Sequence, residues 1–177
     1  HLVRFIHSTW NRSFMYRYLL LLICFGMTAC SSPDKEKTSS SQSNRQLEFT
    51  ADVQFLRTDQ TVISEIAAAV ADNDELRSAG LMDVTSLPEN AGMIFLFDNN
   101  RPRSFWMANT PLSLDILFVN SDMEIVRIHR NTTPYSQESI ESERPAKYVI
   151  EVNAGYTLRN DITEGHLVEF NINSTGQ

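Results

Sequence analysis

The sequence predicts a mainly β fold, a single sandwich or barrel of about eight short strands with one short helix. Two observations carry this prediction. Short segments that alternate apolar and polar residues, or that are rich in β-branched residues, recur along the chain between turn-forming residues. No apolar repeat at the helical period persists beyond about two turns. Residues 47–173 form the predicted domain, which is long enough to build one hydrophobic core.

The domain is predicted to begin with a β-hairpin. Residues 47–55 alternate apolar and polar side chains, and residues 62–70 are rich in alanine and β-branched residues. Thr58, Asp59 and Gln60 supply the turn between them. Asp72 and Glu75 then resemble a capping box, with Asp72 as the N-cap of a short helix that ends near Gly80.

The rest of the domain is predicted as strands joined by turns and one long loop. Asn120, Ser121 and Asp122 form a turn between two of these strands. A polar loop is expected over residues 132–145, and a helical turn over residues 155–160. The predicted strands are residues 93–97, 104–107, 114–119, 124–130, 147–152 and 166–171.

The start of the chain resembles a bacterial lipoprotein signal. Residues 1–14 are interpreted as an upstream extension, with Met15 as the start of a signal peptide over residues 15–29. The apolar run before Cys30 is shorter than the roughly 20 residues of a membrane-spanning helix, so cleavage is favoured. Cys30 would then be the lipidated first residue. An ordinary secretory signal that ends near a cysteine is the alternative interpretation.

Lipidation of Cys30 would also account for the unpaired cysteine of the mature chain. Of the two cysteines, Cys24 lies within the segment to be removed, so Cys30 remains without an intramolecular disulfide partner. The polar, serine-rich residues 30–46 are interpreted as a lipidated cysteine and a flexible tether. Ser31 follows the cysteine in place of the aspartate associated with inner-membrane retention. We therefore expect a periplasm-facing protein in the outer membrane rather than the inner one.

The charge balance disfavours nucleic acid as a partner. The full chain has a net charge of −7, and removal of Arg4, Arg12 and Arg17 with the signal leaves about −10. Such an acidic surface is poorly suited to nucleic acid or to anionic lipid headgroups. The expected partners are the membrane, through Cys30, and an unidentified envelope ligand or protein.

Several short motifs follow one another in the order and spacing of a known family: Gly80-Leu81-Met82, 87–93, Phe105-Trp106-Met107, Asn109-Thr110, Leu114-Asp115, Ile125-Val126 and 149–155. Together they make the chain resemble the family called domain of unknown function 192 (DUF192). The resemblance implies a compact, jelly-roll-like β domain and no established activity. Ala108 and the pair Asp83-Val84 depart from the family pattern, in which basic and aromatic residues are usual at those places.

The segment 101–115, together with Asn153, predicts a ligand-binding surface formed by Arg103, Trp106, Asn109, Asp115 and Asn153. Strand alternation would place Trp106 on one face, where its indole could stack on a sugar or ring. Asn109 and Asp115 could hydrogen-bond to the same ligand. In the alternative interpretation, Trp106 fills the core, Asn109 belongs to a turn and Asp115 caps backbone amides.

Asp115 and Glu151 are also the candidates for a catalytic carboxylate pair, as in glycoside hydrolysis. A carboxylate is more often an ordinary surface group or an ion-pair partner, here for Arg103 or Arg127. His129 and His166 lack the spacing of a metal site, and no nucleophile elbow or phosphate-binding loop is present. No metal and no cofactor are therefore expected.

The expected function is that of a lipid-anchored cell-envelope protein whose β domain binds a ligand or partner, rather than an enzyme. A carbohydrate-active hydrolase of the envelope, using Asp115 and Glu151, is the first alternative. An envelope assembly or structural factor, which would co-purify with protein partners, is the second.

Overall fold

A computed structural model describes residues 45–173 of the chain. The predicted upstream extension, the signal peptide, Cys30 and nearly all of the tether lie outside these residues, so their predictions stay predictions. Within residues 45–173, no helix has the length and apolarity needed to cross a membrane.

The described residues form nine strands and two short helices, which confirms the predicted mainly β class. Seven strands build one sheet in the order β6-β5-β8-β3-β2-β1-β9, and β4 pairs with β7. The elements in chain order are β1 (Phe49–Leu56), β2 (Val62–Ala71), α1 (Asp74–Ala79), β3 (Ala91–Arg101), β4 (Ser104–Phe105), β5 (Leu114–Val119), β6 (Ile125–His129), β7 (Ile140–Glu141), β8 (Ala146–Asn153), α2 (Tyr156–Arg159) and β9 (Leu167–Ile172).

The large sheet is antiparallel except between β2 and β3, which run parallel. Its two outer strands come together at one end, where Glu124 bridges Leu167. The sheet does not close into a barrel, and the fold is sandwich-like. Helix α1 lies in the connection that makes β2 and β3 parallel, since a hairpin turn cannot join parallel strands.

Both faces of the sheet are buried. One face packs around Phe55, Leu117 and Ile150 together with Tyr156 of α2. The other face packs around Phe95, Phe118 and other apolar side chains, with α1 and β4 contributing half-buried residues. A strand in the middle of this sheet therefore buries its side chains in both directions, as all six residues of β5 show.

Glycine is required where β3 approaches β8. A Cβ at Gly92 would lie 2.5 Å from the carbonyl oxygen of Glu151 and 2.8 Å from Cδ1 of Ile66. Any larger residue would push β3 away from β8, the strand with which it pairs.

Most predicted elements lie close to their observed bounds. The first hairpin forms, the strand predicted at residues 114–119 has the observed ends, and the helical turn appears as α2. The predicted cap of α1 was wrong by one residue. Asn73, in an extended conformation, accepts a hydrogen bond from the Leu76 amide and is the N-cap in place of Asp72. The loop predicted over residues 132–145 contains the short strand β7.

Candidate functional site

A cavity of about 430 Å³ lies where α1 and the turn after it face β3 and β4. Four aromatic side chains line it: Phe95, Phe97, Phe105 and Trp106. Helix α1 adds Arg77, and further lining residues come from the turn 80–82. This volume falls within the roughly 300–1,000 Å³ of small-molecule sites, and the mixture of aromatic and polar lining groups is typical of them.

The aromatic wall of the cavity is held by edge-to-face packing. Phe105 meets Phe95 at a centroid distance of 5.1 Å and an angle of 86°, and Phe118 at 5.8 Å and 84°. Trp106, next along the chain, is 59% exposed. The indole therefore lies at the mouth of the cavity. The alternative interpretation placed it in the core, and the structure does not.

Glu151 is the polar group at the base of the cavity. It lies on β8 between Met93 of β3 and Ile116 of β5, and only 5% of its surface is exposed. Its Oε2 atom has no hydrogen-bond partner among residues 45–173. Burial raises the pKa of Glu151 from 4.5 to about 8, since a charged carboxylate is poorly solvated there. The carboxyl is therefore mostly protonated at neutral pH and can both donate and accept a hydrogen bond.

Arg77 connects α1 to the sheet beside the cavity. Its guanidinium donates to the carbonyl oxygens of Leu96 at 2.7 Å and Asp72 at 2.8 Å. It also forms an ion pair with Asp74 at 2.8 Å. These contacts occupy the guanidinium and place its positive charge next to a compensating carboxylate.

Asp115 is fully buried and does not face the cavity. Its Oδ1 accepts from the amides of Asn131 and Gly155 at 3.0 and 3.1 Å. Its Oδ2 accepts from the Thr157 amide at 3.0 Å and from the Thr157 hydroxyl at 2.7 Å. With four donors on one carboxyl group, Asp115 performs the backbone-capping role of the alternative interpretation.

The predicted carboxylate pair does not form. Asp115 is paired with Val152 across the β5–β8 ladder, and Glu151 is paired with Ile116. Directly paired residues share a face and neighbouring residues alternate, so the Asp115 and Glu151 side chains lie on opposite faces of the sheet. Two carboxyl groups separated by a sheet cannot act on one glycosidic bond.

Three other predicted binding residues lie outside the cavity lining. The guanidinium of Arg103 packs 3.8 Å from the centroid of Phe97 and donates to the Ala146 carbonyl at 3.1 Å. It also donates to Asn99, and burial lowers the pKa of Arg103. These contacts occupy the Arg103 guanidinium, which the sequence predicts to bind a ligand.

Asn153 and Asn109 shape the backbone. The Asn153 amide nitrogen donates to the carbonyls of Leu87 at 3.1 Å and Pro88 at 2.9 Å, which fastens that loop to the end of β8. Asn109 adopts a positive φ of 53°, and its carbonyl accepts from the Asp83 amide at 3.0 Å. Of the five predicted binding residues, the cavity lining includes only Trp106.

Sequence reasoning missed the remaining wall of the cavity. Gly80, Leu81 and Met82 form a recognisable motif in the sequence. Nothing in the sequence, however, predicts that they lie beside Phe95 and Glu151. Among residues 45–173, no group of three or more histidine, cysteine, aspartate or glutamate side chains is arranged to hold a metal ion.

Comparisons with known proteins show which family the chain belongs to. The model of DUF192, described as an uncharacterized ACR family, matches residues 53–170. The chain belongs to the DUF192 family. No curated protein matches it.

Two solved structures resemble this DUF192 chain. One is a protein of Sinorhizobium meliloti 1021, provisionally assigned as a transcription regulator, with 32% identity and a TM-score of 0.66. The match covers 71% of this chain and 98% of that one. The other is a protein of unknown function from Novosphingobium aromaticivorans DSM 12444, with 32% identity and a TM-score of 0.63. That match covers 67% of this chain and 83% of the other.

We expect Asp115→Asn to lower the free energy of unfolding by about 2–4 kcal/mol. An amide offers one acceptor oxygen, and its NH₂ group would face the N–H donors that now bind the carboxylate. Urea denaturation measures the change. Asp122→Asn, at an exposed turn, is the matched control and should stay close to the parent. Equal stability of both variants would contradict the capping role.

We expect the contribution of Glu151 to the free energy of unfolding to fall as the pH rises from about 4.5 to about 8. In this range the folded state holds a proton on Glu151 that the unfolded state has lost, so raising the pH favours unfolding. The slope approaches about 1.4 kcal/mol per pH unit. Thermal and urea unfolding of Glu151→Gln should lack this loss, while Glu169→Gln, at an exposed strand position, should retain it. If the free energy of unfolding of all three proteins varied with pH in the same way, Glu151 would not be protonated in the folded state.

Proposed function

We propose that this DUF192 chain is a lipid-anchored protein of the bacterial cell envelope whose β domain binds a small, largely apolar or aromatic molecule. The ligand would lie in the cavity between α1 and the sheet, with Trp106 at the mouth and Glu151 at the base. The single observation that supports binding most is the Glu151 carboxyl, buried in the wall of an open cavity with Oε2 unpartnered.

The unpartnered Oε2 atom favours a ligand because buried polar groups normally have a hydrogen-bond partner. Leaving such a group unsatisfied costs about 1–3 kcal/mol. A bound molecule that hydrogen-bonds to Glu151 would remove this cost and bury the aromatic wall at the same time. The exposed indole of Trp106 would then cover part of the ligand.

The alternative functions receive less support. A two-carboxylate hydrolase is not proposed, because Asp115 and Glu151 lie on opposite faces of the sheet. The provisional assignment of the Sinorhizobium meliloti protein as a transcription regulator does not carry over, because an acidic chain is poorly suited to DNA. We therefore keep nucleic acid out of the proposed partners.

The lipid anchor is proposed from the sequence around Cys30, with Ser31 favouring the outer membrane. Arg45 donates a hydrogen bond to the Asp83 carbonyl, next to Met82 of the cavity wall. The chain thus enters the domain beside the cavity. Fourteen residues, 31–44, lie between Cys30 and Arg45, and they span at most about 50 Å. A cavity on this tether would stay close to the membrane surface.

Ligand binding should change the fluorescence of Trp106. The chain has two tryptophans, and Trp10 lies in the part that cleavage before Cys30 would remove. Trp10→Phe leaves Trp106 as the reporter in processed and unprocessed protein alike. We expect titration with 2-phenylethanol or 2-phenylethylamine to give a saturable change in emission. Ser78→Phe, which adds a ring to the cavity lining, should weaken binding by about tenfold.

Glu75→Phe provides the matched control for that titration. It adds the same ring to an exposed position on the same helix, outside the cavity lining. Its affinity should equal that of the parent. Loss of binding in both phenylalanine variants, or in neither, would contradict a site in this cavity.

Replacement of Cys30 by Ser should release the protein from the membrane fraction into the soluble periplasmic fraction. A thioether-linked lipid requires the cysteine sulfur, and multiple acyl chains hold a protein firmly to a bilayer. Cys24→Ser is the control, since Cys24 belongs to the segment to be removed, and it should remain membrane-bound. Membrane association of the Cys30→Ser protein would refute lipidation. Fractionation followed by immunoblotting distinguishes these outcomes.

A further inference from the structure

The charged groups of the cavity leave one carboxyl without a counter-charge. Asp74, Arg77 and Glu151 are the ionisable residues that line it. Asp74 and Arg77 form an ion pair at 2.8 Å, and the Arg77 guanidinium is further held by backbone carbonyls. Glu151 has no such partner, so a ligand that brings a positive charge would favour the ionised form of this carboxyl.

The groups packed around Glu151 are otherwise uncharged. Met93 and Ile116 flank it on the neighbouring strands, and β4 contributes Ser104 and Phe105 to the same cavity. Arg103 lies outside the cavity lining, and its guanidinium covers Phe97. The indole of Trp106 is more than half exposed at the mouth.

We propose that the ligand is a primary ammonium compound with an aromatic or alkyl body, its nitrogen donating a hydrogen bond to Oε2 of Glu151. This inference deepens the proposed function, because it names the ligand class of the same cavity. A buried carboxyl beside aromatic side chains suits an ammonium ion, which pairs with the carboxylate and is attracted to aromatic faces. The net charge of −7 would also favour the approach of a cation.

Binding of an ammonium ligand would release the proton of Glu151, whereas binding of a neutral ligand would not. Free Glu151 carries a proton near neutral pH. When the ammonium group binds, the carboxyl ionises, its proton passes to the solvent buffer, and an N⁺–H···O⁻ hydrogen bond replaces the O–H bond. Binding therefore releases close to one proton near neutral pH, and little above about pH 9, where the free carboxyl is already ionised. An alcohol or amide that binds the protonated carboxyl releases none.

The experiment compares 2-phenylethylamine with 2-phenylethanol, which has a hydroxyl in place of the ammonium group. Both are titrated by calorimetry into the full-length Trp10→Phe protein, in two buffers that differ in ionisation enthalpy. We expect the amine to bind about tenfold more tightly than the alcohol near neutral pH and to release close to one proton. In Glu151→Gln, the amine should lose both its advantage and the proton release. Glu169→Gln should keep both.

The other possible results would contradict the ligand class, the role of Glu151 or ligand binding by the cavity. If the alcohol binds as tightly as the amine, with a change in Trp106 fluorescence and no proton release, the cavity binds ligands but the ammonium class is wrong. If the amine advantage persists in Glu151→Gln, the ammonium group is not bound by Glu151. If neither probe binds at millimolar concentration, both the ammonium proposal and the proposed binding function fail. Circular dichroism of each variant shows that the fold is retained.

Discussion

The carboxylate of Asp115 is the contact on which the geometry of the domain depends most. It sits on β5 with no exposed surface and accepts hydrogen bonds from the segment after β6 and from the start of α2. Since Gly155 lies two residues after the end of β8, the same contact fixes where the chain turns after this strand. Tyr156, held in this turn, packs into the core on one face of the sheet. The position of Glu151 on β8 therefore depends on a carboxylate on the opposite face.

Asp115 and Glu151 show how surroundings decide what a buried carboxyl group does. The backbone donors around Asp115 satisfy its oxygens and leave it no capacity for a ligand. Glu151 meets apolar side chains, keeps an unpartnered oxygen and holds its proton at neutral pH. The first arrangement stabilises the fold. The second is tolerated at a cost in stability, and such costs are common at functional sites.

Local patterns in the sequence predicted most of the strands, because apolar alternation reflects burial directly. One of the two interpretations of Trp106 placed its indole on a face open to a ligand, and the indole is exposed. Local patterns could not predict that Glu151 is buried, because β8 is covered on both faces and alternation then no longer marks the exposed side. The cavity could not be predicted from the sequence either, since it depends on how α1 is placed relative to β3. Only the long-range pairing of β2 with β3 brings these elements together.

The cavity combines a rigid base with a mouth built from short elements. Its base belongs to the central strands β3 and β8, whose backbones are hydrogen-bonded on both sides. Its mouth comes from a six-residue helix and a two-residue strand, with Trp106 largely in solvent. A polar group on a fixed base is preorganised, so little conformational entropy is lost there when a ligand binds. Substitutions at the mouth would alter which molecules enter while leaving the strands of the sheet intact, so ligand selectivity and fold stability can change separately.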